Sequence, residues 1–132
     1  MKNLLKPSIV PAIIWAIFLG VLMLLPSDSF PESSLLTYDK AAHISVFLIL
    51  TFLLGWASLR VKKQTSLSAK QLGYVYILSF FYGTSLELLQ NYVPGRSTDI
   101  YDFIANSLGG VLGLAVFYIF TQKKFAKLKL ML

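Results

Sequence analysis

Carboxylate and imidazole side chains open one of the long apolar stretches of this 132-residue chain. Asp39, Lys40 and His43 come just before and at the start of that stretch, and Asp39 and His43 are four residues apart. Residues four apart face the same side of an α-helix, so these two side chains are predicted to be neighbours. A carboxylate beside an imidazole suits general acid–base catalysis or the binding of a divalent cation.

Two further polar stripes recur at helical spacing. The first has steps of three or four residues and consists of Tyr76, Ser79, Gly83, Glu87 and Gln90. The second has similar steps and consists of Asp99, Asp102, Asn106, Gly109 or Gly110, and Gly113. Steps of three and four place side chains on one side of a helix, so each stripe predicts a polar helix face.

The composition indicates what kind of element carries these residues. Hydrophobic residues make up 56% of the chain and charged residues 14%, and the mean hydropathy is +0.68. A soluble globular domain carries about 25% charged residues, so this chain has too few to cover a soluble surface. Disorder requires low hydrophobicity and is excluded. Disulfide scaffolds and thiolate chemistry are excluded because the chain has no cysteine. The chain is therefore predicted to be an integral membrane protein.

Four apolar runs are long enough to be membrane spans. They cover residues 8–25, 41–59, 72–89 and 103–120, which is 18 or 19 residues each. A helix needs about 20 residues to cross the hydrocarbon core. The first run is longer than the core of a signal peptide and lacks a small-residue cleavage site, so we interpret it as a span. The sequence predicts an all-α membrane protein, a four-transmembrane-helix bundle, in a single domain over residues 1–132.

The charges predict an orientation. Ten of the 12 basic residues flank the runs on one side: Lys2, Lys6, Arg60, Lys62, Lys63, Lys70, Lys123, Lys124, Lys127 and Lys129. Five of the six acidic residues fall in the other two loops, in 26–40 and 91–102, and the sixth, Glu87, lies in the third run. By the positive-inside rule both termini and the middle loop are predicted to be cytoplasmic. Basic residues placed as span flanks meet lipid headgroups and do not indicate nucleic acid binding.

The three polar stripes end at the same predicted membrane face, the outer one. Together they predict a shallow polar cavity that opens to the outside. The cytoplasmic halves of the same helices are apolar, which argues against a channel. Helix capping is an alternative role for Asp39, Asp99 and Asp102. It does not account for Glu87, because the dipole near a helix C-terminus disfavours an anion. Gly109 and Gly113 are spaced for close helix packing.

The order of these polar residues resembles the VanZ-like family of bacterial membrane proteins, whose founding member is an accessory protein in glycopeptide resistance that lowers susceptibility to teicoplanin. The resemblance covers about residues 38–113 and implies a location in the bacterial cytoplasmic membrane. It does not imply a mechanism. The motif residues that it implies are Asp39, Lys40, His43, Glu87, Gln90, Arg96, Asp99, Asp102 and Asn106.

Three functions stay open at this point. The first is a binding module for an amphiphile, either a lipid-linked cell-wall precursor or a lipoglycopeptide, held by the nine motif residues. The second is a membrane enzyme that hydrolyses or transfers a lipid headgroup. Its candidate catalytic residues are His43, Glu87, Asp99 and Asp102, and a divalent cation such as Mg²⁺, Mn²⁺ or Zn²⁺ would bind His43, Glu87 and Asp102. The third is a docking face for a partner helix, although four helices can pack without an oligomer.

Overall fold

The computed structural model describes residues 6–26 and 35–131, and it describes side chains for residues 6–26, 39–123 and 131. Within these residues the chain forms four helices and no strand. They are α1 (Val10–Met23), α2 (Leu35–Val61), α3 (Ala69–Gln90) and α4 (Ile100–Leu130). The predicted all-α fold is confirmed. Lys2, Asp28, Glu32 and the side chains of Lys124, Lys127 and Lys129, which entered the charge argument, lie outside the described part.

Three of the helices are long and apolar enough to cross a membrane. The stretches concerned are Asp39–Val61, Ala69–Gln90 and Ile100–Lys123, of 22 to 24 residues. At 1.5 Å per residue they extend ~33–36 Å, which exceeds the ~30 Å hydrocarbon core. They contain the predicted spans 41–59, 72–89 and 103–120.

Helix α1 is shorter than its predicted span of 18 residues. It has 14 residues, with a proline in its first turn, and therefore extends ~21 Å. Pro7 precedes it and Pro26 follows its end. Because proline disfavours helical geometry in the residue before it, Pro26 favours an end of the helix before Leu25. The side chains of Ile14 and Ile17 are nonetheless mostly exposed, as in a helix that faces lipid.

Local signals in the sequence set the helix ends near the polar residues. Asp99 precedes α4, and its Oδ1 accepts a hydrogen bond from the Tyr101 backbone N–H at 2.9 Å. This is an N-cap, so the alternative role considered for Asp99 is confirmed. The turn before it contains Gly95 with φ 72°, a conformation that favours glycine. The turn brings the end of α3 next to the start of α4.

Glycines allow α2 and α4 to pack closely. A Cβ atom at Gly109 would lie 3.0 Å from the Ile44 Cα, and one at Gly113 would lie 2.9 Å from the Thr51 Cβ. The contact between these two helices is the most extensive one in the described bundle. The prediction that Gly109 and Gly113 permit close helix packing is confirmed, and it fixes how α4 presents its polar face to α2.

Two apolar clusters fill the rest of the bundle. One joins α1, α2 and α3 through Leu19, Met23, Phe47, Leu50 and Leu86. The other joins α2, α3 and α4 near the opposite end through Leu59, Leu67, Val75 and Phe117. Between them the Thr51 hydroxyl donates to the Ser79 Oγ at 2.8 Å. Apolar packing thus holds the four helices together, and the larger polar cluster lies at one end of the bundle.

Candidate functional site

The three polar stripes meet where α2 begins, α3 ends and α4 begins. His43 from α2, Glu87 from α3 and Asn106 from α4 are all buried, and Glu87 is 0% exposed. The predicted convergence of these helix ends is confirmed. Such burial is costly for polar groups unless they bond to one another.

Asn106 connects the imidazole to the carboxylate. Its Oδ1 lies 2.8 Å from the His43 Nδ1, and its Nδ2 donates to the Glu87 Oε1 at 2.9 Å. The Glu87 Oε1 is also 3.5 Å from the His43 Nδ1. An amide that donates through nitrogen to Glu87 must present its oxygen to the imidazole, so the His43 Nδ1 carries a hydrogen. In the tautomer that carries its only ring hydrogen on Nδ1, the Nε2 atom offers a lone pair.

The Nε2 side of His43 faces a different carboxylate. The Asp39 Oδ1 lies 3.6 Å from this nitrogen, one helical turn earlier on α2. One ligand atom each from Asp39, His43 and Asp102 lie within 4.8 Å of one another. Metal-binding histidines commonly donate their second ring N–H to an oxygen acceptor, and Asn106 is that acceptor here. The donor set therefore fits a small cation.

This grouping differs from the set expected from the sequence. His43 and Asp102 belong to both sets, but Asp39 takes the third place that was assigned to Glu87. Glu87 contacts the imidazole from the Nδ1 side. The i,i+4 spacing of Asp39 and His43 was a signal for this pair, whereas the side of the ring that Glu87 contacts depends on how the helices pack.

Lys40 lies among three aspartates at the outer edge of the cluster. Its Nζ is 2.7 Å from the Asp99 Oδ2 and 3.5 Å from the Asp39 Oδ2, and it also donates to the Asp102 Oδ1. The hydrogen bond from Lys40 lowers the pKa of Asp99, and the bond from the Tyr101 N–H acts in the same direction. One lysine among three carboxylates leaves two formal negative charges in excess. A divalent cation would balance that excess.

The buried and exposed parts of the cluster are distinct. The Lys40 and Asp99 side chains are 38% and 39% exposed, whereas Glu87, Asn106 and His43 are buried. The sequence predicted a cavity that opens to the outside, and in the structure the inner side chains of the cluster are buried and bond to one another. The arrangement combines a partly exposed charged rim with a buried, hydrogen-bonded interior.

Gln90 and Arg96 hold the end of α1. The Gln90 Nε2 donates to the Met23 carbonyl at 2.9 Å, and the Arg96 Nε donates to the Leu25 carbonyl at 3.0 Å. Carbonyls at a helix C-terminus have no intrahelical partner, and these two donors satisfy them. The geometry gives both residues a structural task beside the ligand-binding role that the sequence predicts.

Two threonines beside Glu87 were missed by the sequence reasoning. Thr98 donates its hydroxyl to the Glu87 carbonyl at 3.0 Å and so joins the loop to α3. Thr84 lies one turn before Glu87, and its Oγ1, like the Glu87 Oε2, is buried without a hydrogen-bond partner among the described residues. Counting threonine with the polar stripe would have found Thr84. Thr98 lies in a loop and has no periodic signal.

The fold and the cluster define a class: a helical membrane protein with an acidic, histidine-containing cluster at one end of its spans. The profile of the VanZ/LLP1 family matches residues 9–121, and the chain belongs to this family. The family resemblance stated from the motif is confirmed.

A curated fungal protein is similar to part of this chain. Uncharacterized protein C11E3.10 of Schizosaccharomyces pombe is 28% identical over 93 residues, which cover 70% of this chain and 54% of that protein. The chain thus spans about half the length of this relative. No solved structure matches the chain.

Proposed function

We propose that this protein is a membrane-embedded hydrolase that acts on the phosphate-containing headgroup of a lipid. In this proposal Asp39, His43 and Asp102 bind a divalent cation at the reaction site. The observation that carries it is the grouping of their three ligand atoms within 4.8 Å. The position of the His43 Nε2 atom, which faces Asp39, and the excess negative charge around Lys40 support the same conclusion.

The donor types favour particular cations. Carboxylate oxygens with one imidazole suit Mg²⁺, Mn²⁺ or Zn²⁺. When bound, such a cation supplies positive charge for phosphate oxygens and lowers the pKa of a coordinated water. Asn106 and Glu87 fix the orientation of the imidazole through two hydrogen bonds. A ligand held this firmly loses little freedom on binding a cation.

The depth of the cluster supports a lipid substrate. Lys40, Asp39 and Asp99 are half-exposed at the end of three apolar helices, which is the headgroup level of a bilayer. Phosphate esters and anhydrides are the anions found at this level. A lipid-linked precursor of the cell envelope has the required combination of hydrocarbon anchor and phosphate.

The reaction assigned to these residues is simple hydrolysis. A water oxygen forms a bond to phosphorus, and the bond from phosphorus to the bridging oxygen breaks, with the electron pair leaving on that oxygen. A proton from the water passes to the Asp39 Oδ2, the carboxylate oxygen that does not face His43 and is not assigned to the cation. The Lys40 ammonium faces the negative charge of the departing group. Each step uses a side chain of the exposed rim, which water and headgroups reach.

A second candidate function is binding without turnover. Tyr92, Ile100 and Tyr101 form a largely exposed apolar rim next to Asp99, and Tyr92 is 86% exposed. Such a rim favours an amphiphilic ligand at the interface, including a lipoglycopeptide such as teicoplanin, whose acyl chain enters the same region. Reduced susceptibility to that antibiotic would follow from its capture at this rim.

The proposal includes a location and an orientation. The site faces the outside of a bacterial cytoplasmic membrane, with both termini on the cytoplasmic side, as the basic residues near the other end suggest. The chain has no cysteine, so single-cysteine variants report topology directly. Tyr92→Cys should react with an impermeant maleimide added to intact cells, and Ser66→Cys should react only after lysis. The reverse pattern would contradict the orientation.

Cation binding is the first test of the site. Purified protein in detergent is titrated with Mn²⁺, and free Mn²⁺ is followed by electron paramagnetic resonance. We expect saturable binding that Asp102→Asn and His43→Gln weaken more than tenfold, because each removes one ligand (1.4 kcal/mol per factor of ten). Thr51→Val is the matched control, since it alters a buried hydrogen bond about 12 Å further along α2. Equal binding by all variants would overturn the cation site.

Turnover is the second test. The protein is reconstituted in phosphatidylcholine vesicles that contain a prenyl diphosphate, and phosphate release is measured with Mg²⁺, Mn²⁺ or Zn²⁺. We expect cation-dependent release that Asp39→Asn abolishes. Cation-dependent lipid binding without phosphate release would contradict hydrolysis and support the binding function. If Asp39→Asn changed the mass of a purified complex but neither lipid binding nor phosphate release, the result would support partner docking instead of hydrolysis or lipid binding.

A further inference from the structure

A groove runs along the bundle on the side away from the acidic cluster. It has a volume of about 400 Å³ and lies between α1, α2 and α3. Its walls are apolar and include Ile13, Ala16, Leu54, Ala57, Leu78 and Tyr82. A concave apolar space of this size falls in the range of ligand pockets in proteins. The groove reaches Val61 and Lys62 at the C-terminal end of α2, so one of its ends is basic.

A second, polar pocket adjoins that basic end. Its volume is about 590 Å³, and its lining includes Lys6, Ser8, Arg60 and Lys63. The two spaces are lined by consecutive residues of the same segments, with Ser8 next to Ile9 and Arg60 next to Val61. The Lys6 Nζ donates to the Val61 carbonyl at 3.2 Å, which joins the two segments at this point. An apolar groove and a basic pocket thus meet at one end of the protein.

Lys63 has an unusual backbone conformation in this pocket. Its φ is 53°, in the left-handed region that normally favours glycine. The Lys63 N–H bonds to the Arg60 carbonyl and the Gln64 N–H bonds to the Leu59 carbonyl, which is the pattern that ends α2. A lysine in this conformation is strained relative to glycine, and it places a basic side chain in the lining of the pocket.

We infer that this pair of spaces is a binding site for one anionic phospholipid. An acyl chain lies in the groove, and the phosphate lies against Lys6, Arg60 and Lys63. Charge complementarity selects this occupant, because three cations line the polar pocket while the described acidic cluster is at the other end of the helices. Each cation near a membrane surface contributes about a fivefold gain in affinity for an anionic headgroup.

The site is independent of the proposed hydrolysis. Val61, the last residue of α2, is 18 positions after His43, which is ~27 Å along the helix. A substrate headgroup at the acidic cluster therefore does not reach the basic pocket. Binding here supplies a lipid that fills the space between α1 and the rest of the bundle, and its loss is measured without any assay of turnover.

The headgroup arm of the test uses native mass spectrometry of the purified protein. Phosphatidylglycerol and phosphatidylcholine with identical acyl chains are added in turn. We expect the wild type to bind phosphatidylglycerol more than tenfold more tightly, and Arg60→Gln and Lys63→Gly each to reduce that preference about fivefold. Lys63→Gly also relieves the left-handed conformation, so the variant folds. The control is Lys70→Gln, a basic residue of the same end whose ammonium lies over Tyr74.

The acyl-chain arm compares two adjacent residues of α1. Ile13 lines the groove and is 37% exposed, whereas Ile14 is 61% exposed and is not part of the lining. We expect Ile13→Trp to reduce retention of both lipids at least fivefold and Ile14→Trp to leave it unchanged. Equal affinity of the wild type for the two lipids, or equal retention by the two tryptophan variants, would overturn the proposal.

Discussion

The Oδ1 atom of Asn106 lies 2.8 Å from the Nδ1 atom of His43, and this contact decides which imidazole nitrogen is free. Asn106 cannot turn its amide round, because its Nδ2 donates to the Glu87 Oε1 at 2.9 Å. The free Nε2 atom therefore faces Asp39. Asn106 has no contact with cation or substrate in the proposed reaction, but it positions His43, which binds the cation.

Removing that amide should destabilise the protein. Asn106→Ala leaves the His43 Nδ1–H and the Glu87 Oε1 buried without this partner, and each lost partner costs about 1–3 kcal/mol. We expect a lower free energy of unfolding, measured by thermal denaturation in detergent, and weaker Mn²⁺ binding. Asn106→Gln, which keeps the amide one methylene further out, should recover part of the stability. Unchanged stability in the alanine variant would contradict the role of the bridge.

The ion pair between Lys40 and Asp99 predicts a pH dependence. The folded pKa of Asp99 is lowered, so its stabilisation is present above the unfolded pKa and is lost as the pH falls through the folded pKa. The melting temperature of the wild type should therefore fall as the solution becomes more acidic than about pH 4. Asp99→Asn should give a flatter profile, because asparagine caps a helix equally well but carries no charge.

Asp99→Ala provides the comparison for that experiment. It removes the cap as well as the charge, so it should lower the melting temperature at neutral pH by more than Asp99→Asn does. The difference between the two variants corresponds to a cap of about 1 kcal/mol. Identical pH profiles for the wild type and Asp99→Asn would show that the ion pair does not contribute to stability.

The close approach of α2 and α4 predicts a strong effect of small substitutions. Gly109→Ala places a Cβ atom 3.0 Å from the Ile44 Cα and forces the helices apart, at a cost of about 1–3 kcal/mol. Gly73→Ala is the control, since a Cβ there would meet no described atom within 4 Å. It should stabilise α3 by about 0.5–1 kcal/mol. Equal thermal shifts for the two variants would contradict the packing.

The contact of Gln90 with the end of α1 predicts a local effect. Gln90→Leu removes the hydrogen bond to the Met23 carbonyl, with a net loss of about 1 kcal/mol. Hydrogen exchange in the last turn of α1 should become faster, while Mn²⁺ binding stays unchanged. Gln71→Leu, at the opposite end of α3, should leave exchange in α1 unchanged. A loss of Mn²⁺ binding in Gln90→Leu would instead place Gln90 in the ligand site.

The backbone conformation of Lys63 predicts that a glycine at this position increases the stability of the protein. Lys63→Gly should stabilise the protein by about 1 kcal/mol, because glycine adopts φ 53° without strain. Lys62→Gly, at the adjacent position, should not stabilise it. If Lys63→Gly lowered the melting temperature, backbone strain at Lys63 would not be a cost to the stability of the folded protein.

The polar stripes show which features of the site helical periodicity can predict. Spacing placed Asp39 beside His43, and it placed Glu87 and Asn106 on faces directed at the same membrane side. Gln90 belonged to the same stripe as Glu87, yet it reaches the end of α1. Periodicity assigns a side chain to a face of its own helix, but the partner on that face depends on how neighbouring helices pack. The length of α1 was overestimated because hydropathy alone does not register the effect of flanking prolines.

The amino-acid sequence by itself determined that this protein is helical and lies in a membrane, because too few charged residues remain to cover a soluble surface and the apolar runs match the bilayer core. It also determined which end of each long span is polar. Only the tertiary structure decided which carboxylate joins His43 and Asp102, and that Glu87 lies behind the imidazole. The physical reason is that the glycines of α4 set the distance between α2 and α4. That distance determines which carboxylate lies near His43, and residue spacing within one helix does not contain this information.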